Sequence, residues 1–256
     1  MSDKELKRRI LPIILGGLGF IMILISEIIN QIQESKILII AWSASILITI
    51  STFVIRFYSI DSEKFKEIIQ ETNPVKTHEL KPIRFLNWIL IAMIVGLIAT
   101  IVIAYDFIIG MIIYLLMQIA LMIAFSGIIS ISPKAQMSHP KLRKTFLISI
   151  LFWIVFIPFV FFIFVWNGTE SLIVVPYVVA IGFMACISWF GIGYNQRSKL
   201  FRYAMVVASS FFVFSDLLIG NSRFGTFRIE IYFLIDITYV LNILLMSHAQ
   251  LFLNVH

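Results

Sequence analysis

The sequence predicts an all-α, polytopic membrane protein with eight transmembrane helices. Three observations carry that expectation: 60% of the 256 residues are hydrophobic, the mean hydropathy is +1.00, and apolar runs of about 20 residues, the length that crosses a bilayer, recur along the chain. A soluble domain of this size has no core large enough to hide so much apolar surface. The runs fall near 10–30, 37–57, 85–104, 107–130, 146–166, 172–192, 201–220 and 227–251. They define a single domain over 1–256 with a cytoplasmic loop at about 58–83.

Each element has its own justification. The first run is of full spanning length and ends in Ser26, Glu27, Ile28, Ile29 and Asn30 rather than in a small-residue cleavage site, so it reads as a retained helix and not a signal peptide. After the second run, 61–81 is charged but carries Phe65, Ile68 and Ile69 at helical spacing. It reads either as a short amphipathic helix lying on the membrane or as a solvated linker, and Pro74 ends any helix there. Only Tyr105 and Asp106 separate the third and fourth runs, yet 84–132 is far too long for one span, so two tightly turned helices are expected. Between the fifth and sixth runs, Asn167-Gly168-Thr169 fits the glycosylation acceptor pattern, a triplet common by chance.

Orientation follows from the basic residues, which collect on the cytoplasmic side. With the N-terminus inside, seventeen of the twenty Lys and Arg residues fall on inner segments, and only Lys36, Arg223 and Arg228 fall outside. An even number of spans with both termini cytoplasmic is expected. The net charge of +6 is thereby accounted for without a nucleic-acid partner. Cys186 is the sole cysteine, and His78, His139, His248 and His256 are not spaced as metal ligands. No glycine-rich phosphate loop is present either. No metal, nucleotide or prosthetic group is therefore expected.

The chemistry-bearing residues lie inside the spans. Asp216 interrupts the seventh run, where a carboxylate costs about 2.5–3.5 kcal/mol on insertion scales and marks a functional candidate. Helix rise places Asp236, about two turns into the eighth run, at a similar depth in the outer half. Tyr114 and Gln118 share one face of the fourth run with Gly110, and Tyr239 and Asn242 lie one turn apart on the eighth. Glu27 and Asp106 sit near the interface, where solvated cap or loop roles are the plainer reading. Tyr114, Tyr239 and Gln118 could equally be packing aromatics and interhelical polar glue, and Asp216 could be closed off by an ion pair with Arg223 or Arg228.

The stretch from Phe212 to Phe224, with Ser215-Asp216, Leu218-Ile219-Gly220 and Arg223-Phe224, resembles the seventh-helix signature of YhhN-type proteins, the family that includes the lysoplasmalogenases. Lys81-Pro82, Phe107-Ile108-Ile109-Gly110 with Tyr114, and Thr238-Tyr239 are similar to further family patterns. The resemblance implies eight helices and hydrolysis of the vinyl ether bond of a lysoplasmalogen, with no cofactor. It implies a site in which Asp216 and a second carboxylate, Asp106 or Asp236, divide acid and base roles, and Ser215, Tyr114, Gln118, Tyr239 and Asn242 bind substrate in a lipid-sized cavity opening toward the outer half. The chain also departs from the family pattern. The 96–104 stretch lacks the usual Gly-Asp of the third helix, Gln118 replaces a His, and Ile243 replaces a Gln or His. A catalytically silent lipid-binding relative is thus the first alternative and a proton-coupled transporter the second. A retinal protein is excluded, because neither of the last two runs carries a Lys for a Schiff base.

Overall fold

The computed structural model describes residues 3–33, 38–74, 80–225 and 232–253 and is built of helices. These are α1 (Asp3–Gln33), α2 (Leu38–Val54), α3 (Ser62–Glu71), α4 (Pro82–Val102), α5 (Phe107–Ser126), α6 (Pro133–Met137), α7 (Pro140–Val160), α8 (Val175–Phe190), α9 (Lys199–Phe224) and α10 (Tyr232–His248). Among the described residues eight helices are long and apolar enough to cross a membrane, matching the eight expected runs. Local sequence sets the ends. Asp61 caps α3 by accepting from the Glu63 and Lys64 amides, Asp106 caps α5, Ser198 caps α9, and Pro82 and Pro140 open α4 and α7, where a missing N–H is harmless.

Neighbour contacts close a ring in the order α1, α2, α4, α5, α8, α9, α10 and back to α1, with α7 packed outside against α8. The outward face of α7 carries Leu151, Ile154 and Phe159, and Phe162 follows just beyond its end, all exposed. That is the surface expected against acyl chains, where apolar side chains lose nothing by facing out. The α4–α5 hairpin turns at residues 103–106, and the two helices cross closely because Gly110 offers no Cβ. One built there would lie 2.6 Å from the Ile103 Cα. Ser188 Oγ donates to Met205 O at 3.0 Å and Ser215 Oγ to Ile235 O at 3.1 Å between ring helices, and Asn221 Nδ2 donates to Phe164 O at 2.8 Å, tying α9 to the end of the fifth span.

The end of the bundle near the two chain termini, here the basal end, is locked by two polar clusters. In α1, Pro12 cannot donate to the Arg8 carbonyl, which instead accepts from Ser59 Oγ at 2.5 Å. The Pro12 carbonyl meets Ser51 Oγ at 2.8 Å and the buried His248 Nε2 at 3.0 Å, an approach open only because Gly16 has no side chain. On the other side of this end, Arg197 is 3% exposed and donates to Ile128 O at 2.7 Å and Thr72 Oγ1 at 3.4 Å, with its Cζ 4.3 Å from the Tyr194 ring centroid. Burial lowers the guanidinium to about 10, so it stays charged at neutral pH. Burial also pushes the Tyr194 phenol up, and its oxygen accepts the Ser130 amide at 2.7 Å.

The 61–81 stretch resolves in favour of a helix, though one that docks on protein. Phe65 and Ile69 of α3 are buried, and Phe65 stacks on Phe85 of α4 at 6.0 Å. The helix stops at Glu71, before Pro74, with Thr72 as its C-cap. Glu27 also differs from its reading as a solvated interfacial residue: α1 turns it inward and it is 1% exposed.

Candidate intramembrane site

The distal half of the ring encloses two cavities that share a wall. The first, about 40 Å³, is lined by Asp216, Tyr177, Tyr114 and an apolar shell from α5, α8 and α9. The second, about 230 Å³, is lined by Asp236, Tyr239, Thr100, Tyr114 and residues of α1 and α2. Ile103, Tyr114 and Ile219 belong to both linings and form the partition. The sequence leads one to expect a single lipid-sized cavity; each chamber is instead below the roughly 300 Å³ at which ordinary ligand pockets begin. The Tyr114 side chain divides the space.

Asp216 is half-buried on α9 and accepts a hydrogen bond from the Tyr177 hydroxyl of α8 at its Oδ2. The sixth span provides it, rather than the third, fourth or eighth, and Arg223 lies over the Phe107 ring at 5.2 Å. Arg228 lies outside the described residues. The carboxyl group also lies within electrostatic range of the Tyr114 and Tyr239 hydroxyls.

A second constellation sits on the partition. Thr100 Oγ1 donates to its own helix at Gly96 O, 2.9 Å away, and lies 2.8 Å from the Tyr114 hydroxyl and 3.0 Å from that of Tyr239. A threonine hydroxyl has one proton and two lone pairs. In the arrangement in which that proton goes to Gly96, both tyrosines donate to Thr100. The two phenol rings meet edge to face, centroids 5.9 Å apart, and Phe212 closes on Tyr239 at 6.4 Å.

The other sequence-derived candidates divide. Asp236 is half-buried and lines the second cavity. Asp106 is exposed, accepts the Ile109 amide at 2.9 Å as the α5 cap, and lines neither cavity. Ser215 spends its proton on Ile235 O, joining α9 to α10. Gln118 and Asn242 are each 0% exposed and line neither cavity, and among the described residues none of their four amide atoms has a hydrogen-bond partner. Helix periodicity places both about 5 Å basal of the Tyr114–Tyr239 pair, on the same faces. Buried polar atoms of that kind ordinarily hold water. Sequence reasoning missed Tyr177 and Thr100; the position of Tyr177 just after Pro176, within the first turn of α8, was the available sign that it sits at cavity depth. Among the described residues no three His, Cys, Asp or Glu side chains gather in a metal-binding group.

Comparison with curated proteins and with solved structures gives no match. The YhhN family model matches residues 75–249, which include Tyr177, Asp216, Asp236 and the whole α4–α5 hairpin. On that match, over more than half of its length, the chain belongs to the YhhN family.

Proposed function

We propose that the protein is a lysoplasmalogenase-like hydrolase that cleaves the vinyl ether bond of a lysoplasmalogen-type lipid within the membrane. The observation that carries the reading is the Asp216–Tyr177 pair in an apolar intramembrane cavity. A carboxyl group kept there is expensive, and an acid is what vinyl ether cleavage requires. In the first step Asp216 delivers a proton to the vinyl carbon remote from oxygen, the carbon–carbon π pair forms the new C–H bond, and an oxocarbenium ion results. In the second, water adds to the oxocarbenium carbon and loses a proton to a carboxylate. The hemiacetal hydroxyl then gives its proton to the Asp216 carboxylate as its oxygen forms the carbonyl, and the glycerol oxygen leaves with the C–O pair and takes a proton from the carboxyl group that accepted one from water, releasing a fatty aldehyde and a glycerophospho head group.

Asp216 is the proton donor in this proposal and Asp236, across the partition, guides water. Two carboxyl groups in unlike surroundings can hold such opposite roles. Tyr177 orients Asp216, and the lone pairs of Tyr114 and Tyr239 face the developing cation. Asp106 has no catalytic part, since the α5 amide already occupies it. Purified protein should turn over a lysoplasmalogen, and in D₂O the aldehyde should carry one deuterium on the carbon next to the carbonyl. Aldehyde without that label would exclude protonation at carbon.

A second reading, lipid binding without turnover, is favoured by one observation. The 96–104 stretch of α4 offers Thr100 rather than an acid. Absence of turnover across a panel of head groups, with tight retention of the lipid, would select it.

A further inference from the structure

A separate polar cavity lies at the basal end, about 20 Å along α10 from the level of Asp236. It measures about 170 Å³ and is lined by Arg8 and Arg9 from α1, by Ser59, Asp61, Lys64 and Phe65 around the start of α3, and by Gln250 near the chain end. Three cations and one carboxylate line it. That carboxylate is engaged, since Asp61 Oδ1 accepts the Glu63 amide at 3.0 Å and the Lys64 amide at 3.4 Å. Arg9 is held by Leu251 O at 3.3 Å and Arg8 lies 5.5 Å from the Tyr58 ring centroid, so both are positioned by the fold rather than loose on the surface.

Two residues of the lining also carry hydrogen-bonding atoms left without a partner among the described residues. Among the described residues Arg8 Nε has no partner, and neither has the Oε1 of Gln250, a residue only 4% exposed whose Nε2 is committed to Ser247 O at 2.7 Å. The arginines supply donors and positive charge, which suit phosphate oxygens. Gln250 supplies an acceptor, which suits a hydroxyl.

We infer that this cavity binds a phosphate ester carrying a neighbouring hydroxyl, of the glycerol phosphate type. Such a group reaches the site either as the head group of an anionic phospholipid or as a soluble ester. The site is distinct from the Asp216 chambers, and the inference stands whether or not the protein is a hydrolase. Basic residues at a membrane face attract anionic lipid in general; what is particular here is a concave site drawn from three parts of the chain.

The test uses the full-length protein in phosphatidylcholine nanodiscs and follows its thermal unfolding midpoint. One arm titrates sn-glycerol 3-phosphate and the other replaces part of the lipid with phosphatidylglycerol. At least one probe should raise the midpoint. Arg8→Gln/Arg9→Gln and Gln250→Glu should each need about tenfold more probe or lose the response, as befits a lost charge-assisted contact. The exposed pair Lys141→Gln/Lys144→Gln, outside the cavity, should keep it. A response to glycerol phosphate assigns a soluble ester, and a response to the lipid alone assigns a head group. If the double arginine variant does not fold, Lys64→Gln on the exposed rim replaces it. No shift with either probe, or a shift that the cavity variants retain, would overturn the inference.

Discussion

Tyr177→Phe isolates the contact that orients the proposed acid. The substitution removes one oxygen and leaves the ring in the cavity wall beside Val174, Val178 and Ile181, so no cavity of consequence is created. What is lost is the hydroxyl bond to Asp216 Oδ2. Asp216 becomes a carboxylate as it gives up its proton, and hydrogen bonds to charged groups contribute about 1.5–3 kcal/mol, which corresponds to a fall of about 10-fold to 100-fold in rate when the bond is missing in that step. The assay is aldehyde release from a lysoplasmalogen in detergent, with KM and kcat read separately. A positioning role predicts that kcat carries most of the loss and that the unfolding midpoint shifts little. Wild-type kcat in the folded variant would refute the reasoning, because Asp216 would then act without the partner the fold gives it.

Three further outcomes follow from packing and charge. Gly110→Ala should destabilise by about 1–3 kcal/mol, because its Cβ would fall 2.6 Å from the Ile103 backbone; an unchanged thermal midpoint would mean the hairpin crosses less tightly than described. Gly16→Ala should act through His248, whose imidazole would lie 2.7 Å from the new Cβ, so a double-mutant cycle with His248→Ala should show a coupling of about 0.5–3 kcal/mol, and strict additivity would deny the contact. The basic-residue asymmetry predicts that, in a Cys186→Ser background, Glu67→Cys is labelled from the cytoplasm and Tyr105→Cys from the opposite side. Labelling of both from one side would defeat the topology.

The spans were legible because bilayer thickness imposes a length and a composition on each helix independently of its neighbours. The α4–α5 turn was legible for the same reason, since 84–132 exceeds one crossing. The helix at α3 could be seen in the spacing of Phe65, Ile68 and Ile69, but not where its apolar face would go, because the stacking partner Phe85 lies on a different helix. The site divides along the same line. Asp216 declares itself by the cost of a charge in an apolar run. Tyr177 and Thr100 do not, since a Tyr near a helix start reads as an interfacial aromatic and a Thr among Ile and Ala reads as filler. Their roles arise from juxtapositions across α8–α9 and α4–α5–α10 that no local pattern encodes. Asp106, whose plainer reading in the sequence was a cap or loop residue, is committed to the α5 cap.

The central claim is that Asp216 protonates the vinyl ether, and Asp216→Asn tests it most directly. The amide keeps the size of the side chain and can still accept from Tyr177, but it has no acidic proton to deliver. With folding verified by an unchanged oligomer profile and thermal midpoint, turnover of lysoplasmalogen should fall by about 100-fold to 10,000-fold. Asp106→Asn, which preserves the α5 cap, should retain wild-type turnover in the same assay. Full activity in Asp216→Asn would contradict the account.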